Sequence, residues 1–248
     1  MSNTNSLTEH DHPSVLLPLL YESAGHLLSS AGALTGEQLR AASLLPGWTR
    51  AHVLVHLARG ADSRVRLLTA ARGGADLPQY PDESTREEEI RQGALRDADA
   101  LRMDLETSLS GLLQAIGSHP DEAWDVPVRW LGGGRRPVRG VLWSLLRELE
   151  VHHVDLAASY TPADWPAAFT DRELRATVAR LREDPAMPPV RISADGGTSD
   201  LSTSDRPGPL VRGAAAAILA WLTGRSDGAA LTVDPPGALL PRVPAWRR

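Results

Sequence analysis

Along residues 13–159, apolar positions return every three or four residues, the period of a helix with one buried face. Val15, Leu16, Leu19, Leu20, Leu27 and Leu28 form such a stripe, and proline suits a helix's first turn, so a first helix is predicted from about Pro13. After the turn LLPGWT, Thr49 is placed to cap a second long helix, RAHVLVHLARGADSRVRLLTAAR, which Gly73 and Gly74 stop. Beyond the proline-punctuated loop DLPQYPDES, a third helical pattern spans about Thr85 to Ile116, acidic in its first turn as the helix dipole favours. Residues 120–137, with Pro, Gly and two Trp, read as a crossover loop with a short hairpin. A fourth helix is predicted from about Pro137 to Ser159.

The pattern then changes. YTPADWPAAFT has the composition of a linker, followed by a helix from Asp171, short alternating strands around PVRISAD and DLSTS, a helix in GPLVRGAAAAILAWLTGR and a strand in AALTVD. The predicted fold class is therefore α+β. Residues 1–164 form an antiparallel four-helix bundle, where a cofactor site lies between helices, and residues 165–248 a smaller α/β domain. A chain of 248 residues accommodates both. It shows neither a fixed repeat nor a low-complexity tract.

Composition narrows the chemistry. The formal charge of −5 and the lack of a basic block argue against nucleic acid as a partner. No signal-like segment opens the chain and no apolar run reaches membrane-spanning length, so the expectation is a soluble, cytoplasmic protein. There is no Cys, and all 26 basic residues are Arg. That excludes disulfides, cysteine nucleophiles, thiolate-bound zinc, Schiff-base lysines and a phosphate-loop lysine. Any nucleophile softer than oxygen must come from outside.

The fourth helix carries the densest ionisable cluster, in LLRELEVHHVDLAASY. At about 100° per residue, Glu148, His152 and Asp155 fall within about 60° of one another, while Glu150 and His153 point away and are expected to face solvent. Glu148 and His152 are four apart, the spacing that lets two side chains reach one ion, and Asp155 could orient the imidazole from behind. His52 and His56 repeat the spacing on the second helix, with Arg59 on the same face. A catalytic zinc takes three protein ligands and keeps one place open, so Glu148, His152 and either His52 or His56 would complete a set. Its N and O donors favour Zn2+, with nickel, cobalt or iron as other divalent options. Spacing alone also fits a surface ion pair or a buried polar network that locks helix packing. GGGRR lacks the Lys and Ser/Thr of a phosphate loop and reads as a turn. REEEIR reads as a solvated face, with Arg86 the exception, and most of the seven Trp as packing residues.

Together, LPGWTRAHVLVHLA, YPDESTREEEIRQG, LWSLLRELEVHHVDL and AWLTGRSDG resemble the mycothiol-dependent maleylpyruvate isomerases, metalloenzymes of the DinB-like superfamily. The likeness runs through nearly the whole chain in order. It implies His56, Glu148 and His152 as zinc ligands, and so chooses His56 over His52. It further implies Arg225 as an activity-bearing arginine and Arg86 as a contact to a substrate carboxylate. His52 falls on a variable position, open to a substrate-facing, outer-shell or packing role.

The resemblance implies Zn2+ and mycothiol as cofactors, which accounts for a chain without Cys. The implied reaction is cis–trans isomerisation of maleylpyruvate, or a similar cis enone diacid, to fumarylpyruvate in gentisate-type aromatic degradation. A thiolate adds to the double bond, the resulting single bond rotates, and the thiolate leaves. A mycothiol S-transferase that keeps the adduct is the alternative enzyme, and a zinc-binding regulatory or structural protein the non-enzymatic one. The expected partners are the substrate and the thiol, with the chain a monomer or homodimer.

Overall fold

A computed structural model of the protein describes residues 13–195 and 200–245. The first twelve residues, on which part of the expectation of no signal segment rests, and Trp246 lie outside the described residues. The chain divides into two compact units, Met1–Ser159 and Tyr160–Arg248. It is mixed helical and sheet in content. No helix among the described residues is long and apolar enough to cross a membrane.

In the first unit, α1 (Pro13–Ala33) buries Leu16, Leu20, Ala24, Leu27 and Ala31, one stripe at helical spacing. A short helix, α2 (Gly36–Arg40), follows under a capping box: Thr35 Oγ1 accepts from Gln38 N, and Gln38 Oε1 accepts from Thr35 N. Thr49 caps α3 (Arg50–Gly73), which Gly74 ends at φ +65°, a conformation natural to glycine.

The single helix expected over Thr85 to Ile116 is two, α4 (Glu83–Gly93) and α5 (Ala98–Gly117). Asp82 and Asp97 each cap a helix, and the second cap restarts the chain in a new direction. Gly93 permits the break to pack closely, because a Cβ there would lie 2.7 Å from Val55 Cγ1 on α3. The hairpin in residues 120–137 is present as β1 (Pro127–Arg129) and β2 (Arg135–Pro137), with GGG in its turn. Helix α6 runs Gly140–Asp155, shorter at both ends than expected, and Ala157 just beyond it is left-handed at φ 49°. Helices α1 and α3 each pack against both α5 and α6. Leu20, Leu27, Leu54, Leu105, Leu109, Leu112, Leu142 and Leu145 are fully buried among them.

In the second unit, α7 (Ala167–Arg182) begins inside the segment expected to be linker, with Phe169 fully buried. Strands β3 (Arg191–Ala194), β4 (Leu201–Ser202), β5 (Leu210–Gly213) and β6 (Thr232–Asp234) form a sheet in the order β4-β3-β5-β6. Strands β3 and β5 are parallel; the outer pairs are antiparallel. The helix expected in GPLVRGAAAAILAWLTGR is α8 (Ala215–Leu222); Leu210–Gly213, at the start of that segment, pairs on both sides as a central strand instead. Gly208 leads into that strand where a Cβ would meet the Pro189 carbonyl, a close backbone approach that marks sheet rather than helix.

Candidate metal centre

The ligand atoms come from two helices. His56 sits in the second turn of α3, where Val53, Leu54, Val55 and Leu57 bury the helix on several sides and carry the imidazole inward at 5% exposure. Glu148 and His152 lie one turn apart on α6. His56 Nε2 is 2.9 Å from Glu148 Oε2 and 3.1 Å from His152 Nε2, and His152 Nε2 is 3.4 Å from the same Glu148 oxygen.

These three atoms face one point. A tetrahedral zinc with bonds of about 2.0–2.1 Å would separate its ligand atoms by about 3.3 Å, so the spacing fits such an ion without a large rearrangement. Two imidazole nitrogens and one carboxylate oxygen are also the donor set of a known type of catalytic zinc site. Among the described residues this is the group of three His or acidic side chains that could hold a metal ion.

Electrostatics follow from burial and partners. Burial pushes the His56 imidazolium down to about 4, against the pull of Glu148, so the ring is neutral at pH 7 as a ligand must be. Burial also acts to lower His152, but its bonds to Asp155 and Glu148 outweigh it and raise the ring above its ordinary value. For Glu148, burial works to raise the carboxyl; the bonds to His152 and His56 and the charge of Arg64 hold it well below the usual range. The site therefore keeps a part-buried carboxylate ionised.

Around the ligand atoms, Asp155 Oδ2 is 2.7 Å from His152 Nδ1 and fully buried, which fixes the ring so that Nε2 looks towards Glu148. Arg86 Nη2 lies 3.0 Å from His56 Nδ1, with its guanidinium 5.5 Å over the Tyr80 ring. A guanidinium can only donate, so that ring nitrogen accepts and the neutral ring carries its proton on Nε2, towards Glu148; ligating an ion through Nε2 would shift that proton to Nδ1 and release Arg86. The ring of Trp48 stands edge-on to His56 at 5.6 Å.

The family match decides what this centre belongs to. Residues 21–157, more than half of the chain, match the mycothiol maleylpyruvate isomerase N-terminal domain family. The chain belongs to this family. Among solved structures, a crystal structure of the mycothiol-dependent maleylpyruvate isomerase matches with a TM-score of 0.89 at 25% identity, covering 99% of this chain and 100% of that one. A histidine-to-alanine mutant of that enzyme matches to the same extent. No curated protein matches the chain.

In this member of the mycothiol maleylpyruvate isomerase family, His52 is not among the converging atoms. Its Nδ1 lies 2.7 Å from Thr49 Oγ1 and accepts from the Thr49 backbone N, so it completes the cap of α3, with Trp48 stacked on it at 6.0 Å. Arg59, on the same helical face, pairs with Asp104 at 2.6 Å and Asp62 at 3.1 Å. Arg225 lies in the second unit just after α8, half-buried, with Nη1 donating to the Thr223 carbonyl at 2.6 Å.

One expectation fails outright. Glu150 and His153 do not face solvent: each is 2% exposed. Ser23 Oγ on α1 donates to Glu150 Oε1, and Ser30 Oγ lies 2.8 Å from His153 Nε2. Helix α6 has a neighbour on this side too, because α1 covers the face that the helical wheel leaves outward. Arg64 went unnoticed in the sequence. It is 4% exposed and lies 3.4 Å from Glu148 Oε1, and a charged residue two turns beyond His56 is the signal that could have found it.

Proposed function

We propose that the chain is a metal- and mycothiol-dependent cis–trans isomerase acting on maleylpyruvate or a similar cis enone diacid. The observation that carries this reading is the meeting of His56, Glu148 and His152 at one point, in a chain of the mycothiol maleylpyruvate isomerase family. The four long helices would form a DinB-like antiparallel bundle with this centre inside. Zinc is the ion we assign, on the strength of two imidazoles and a carboxylate.

When bound, the ion would supply the positive charge that lowers a thiol's pKa, and mycothiol the sulfur that a chain without Cys lacks. The chain's own residues do the rest by position. Glu148 offers the one anionic ligand oxygen, and His56 and His152 would offer nitrogens whose Nε2 protons give way to the ion. Asp155 holds the His152 ring in its working orientation. We assign Arg225 as the catalytic arginine and Arg86 as a substrate-binding one, since a guanidinium grips a carboxylate through two parallel bonds and stays charged. Arg86 would exchange its contact with His56 for that carboxylate. His52 is assigned to the substrate side, next to Trp48. The net charge of −5 supports small-molecule partners rather than nucleic acid. A cytoplasmic place in gentisate-type aromatic degradation, as monomer or homodimer and off the membrane, completes the proposal.

The test is to incubate the protein with Zn2+, mycothiol and maleylpyruvate and follow the mixture by NMR. Fumarylpyruvate formed with thiol in catalytic amount is the expected result. A stoichiometric thiol adduct would make the chain an S-transferase instead, and no reaction would overturn the substrate assignment.

A further inference from the structure

Arg64 takes no part in the motifs that mark the family, yet it is buried between the two helices that carry the ligand set. A buried guanidinium needs partners in fixed directions, because it cannot shed its charge. Its Nη1 donates to the Gly60 carbonyl at 2.8 Å, and its Nη2 to Ser144 Oγ at 2.6 Å and to the Ser144 carbonyl at 3.3 Å. Gly60 is one turn beyond His56 on α3, and Ser144 is one turn before Glu148 on α6. One side chain thus ties the two ligand helices together. The room for it comes from the missing side chain at residue 60, where a Cβ would lie 3.1 Å from Nη1.

The same Nη2 lies 3.4 Å from Glu148 Oε1, whereas Oε2 faces the two imidazoles. The two oxygens of one carboxylate are divided between a fixed cation and the ligand point. Meanwhile Arg64 Nε is buried without a hydrogen-bond partner, a cost the fold bears to keep the guanidinium there.

We propose that Arg64 is a positioning residue: by occupying Oε1 it restricts Glu148 to one ligand oxygen and so keeps a place on the metal open for the thiol. The proposal rests on the metal-dependent reading above. A carboxylate released from Arg64 is able to turn and offer both oxygens to one ion, and the second would add beside the ion's water as a fifth ligand, crowding the place a catalytic site must leave for the thiol. What Oε1 requires is a cation beside it, so lysine at this position serves where an apolar side chain does not.

The test loads the full-length protein and its Arg64→Met, Arg64→Lys and Ser144→Ala variants with Co2+. Visible d–d absorption per bound ion reports coordination number, and chelator competition reports affinity. The wild type is expected to give the intense absorption of a four-coordinate ion. Arg64→Met is expected to give the weaker bands of a five-coordinate ion, with metal held no more weakly than in the wild type, because a ligand oxygen is gained and a neighbouring positive charge lost. Arg64→Lys is expected to keep the wild-type spectrum. Ser144→Ala removes a single hydroxyl and is expected to shift the same way by less; it decides the matter should Arg64→Met fail to fold. A wild-type spectrum from Arg64→Met, or from Ser144→Ala in its stead, overturns the role. So does a lysine variant altered as far as the methionine one. A wild type that takes up no Co2+ sinks the metal reading itself, whereas a wild type that binds alongside unchanged variants sinks the role of Arg64 alone.

Discussion

Helix α6 buries ionisable groups on two faces, and the two are satisfied in different ways. Towards α3, Glu148 and His152 meet His56 with their ligand atoms within 3.4 Å of one another, so donors crowd around a single point. Towards α1, Glu150 and His153 each meet a serine hydroxyl, from Ser23 and Ser30. A hydroxyl can donate or accept as its neighbour requires, so a carboxylate and an imidazole beside serines are at rest as they stand. Three lone-pair donors facing one point are not; they share whatever protons are present and suit a cation better. The difference lies in the partners more than in burial: of the five side chains, only Glu148, at 21% exposure, is not fully covered.

That contrast can be broken by mutation. Glu148→Ala is expected to have the largest effect, with zinc content after dialysis falling to background and isomerase turnover dropping more than about 100-fold, beyond what loss of an outer-shell partner costs. Asp155→Asn keeps the shape but removes the charge that orients His152, and metal affinity measured by chelator competition should fall about 10- to 100-fold. Glu150→Ala should leave zinc stoichiometry intact while lowering unfolding free energy in urea by about 1–3 kcal/mol, because a buried hydroxyl loses its acceptor. Ser30→Ala should be mildest, at about 0.5–1.5 kcal/mol, again with full metal content. If Glu150→Ala emptied the metal centre, the two faces would be one network and the contrast would collapse.

Helical spacing singled out Glu148, His152 and Asp155, because residues on one face of one helix are related by a fixed rotation. It could not choose between His52 and His56, which share a face; the family resemblance did so, and the structure then shows His52 occupied with the cap of α3. Nor could it tell that the opposite face is buried. A helical wheel gives the direction in which Glu150 points but not what stands there, and α1 is more than a hundred residues earlier in the chain. The short α2 was missed despite Thr35 and Gln38 showing the capping-box spacing, since five residues are too few to display a period. The break between α4 and α5 was hidden by apolar spacing that continues across it, though Gly93 and Asp97 mark it. Arg64 was illegible for another reason. Its role depends on two contacts to α6, far away in sequence, and on a neighbouring glycine that matters only once the helices are packed.

Arg50, the first residue of α3, closes the far end of the same helix pair. It donates to the carbonyls of Leu156 and Ala157, which α6 leaves unpaired at its C-terminus, and at 3.0 Å to the Gln38 carbonyl. All three acceptors precede Ser159, where the first unit ends. The clasp on α6 is therefore self-contained. Residues could be inserted after Ser159, or a different second unit grafted there, without undoing a single one of its bonds.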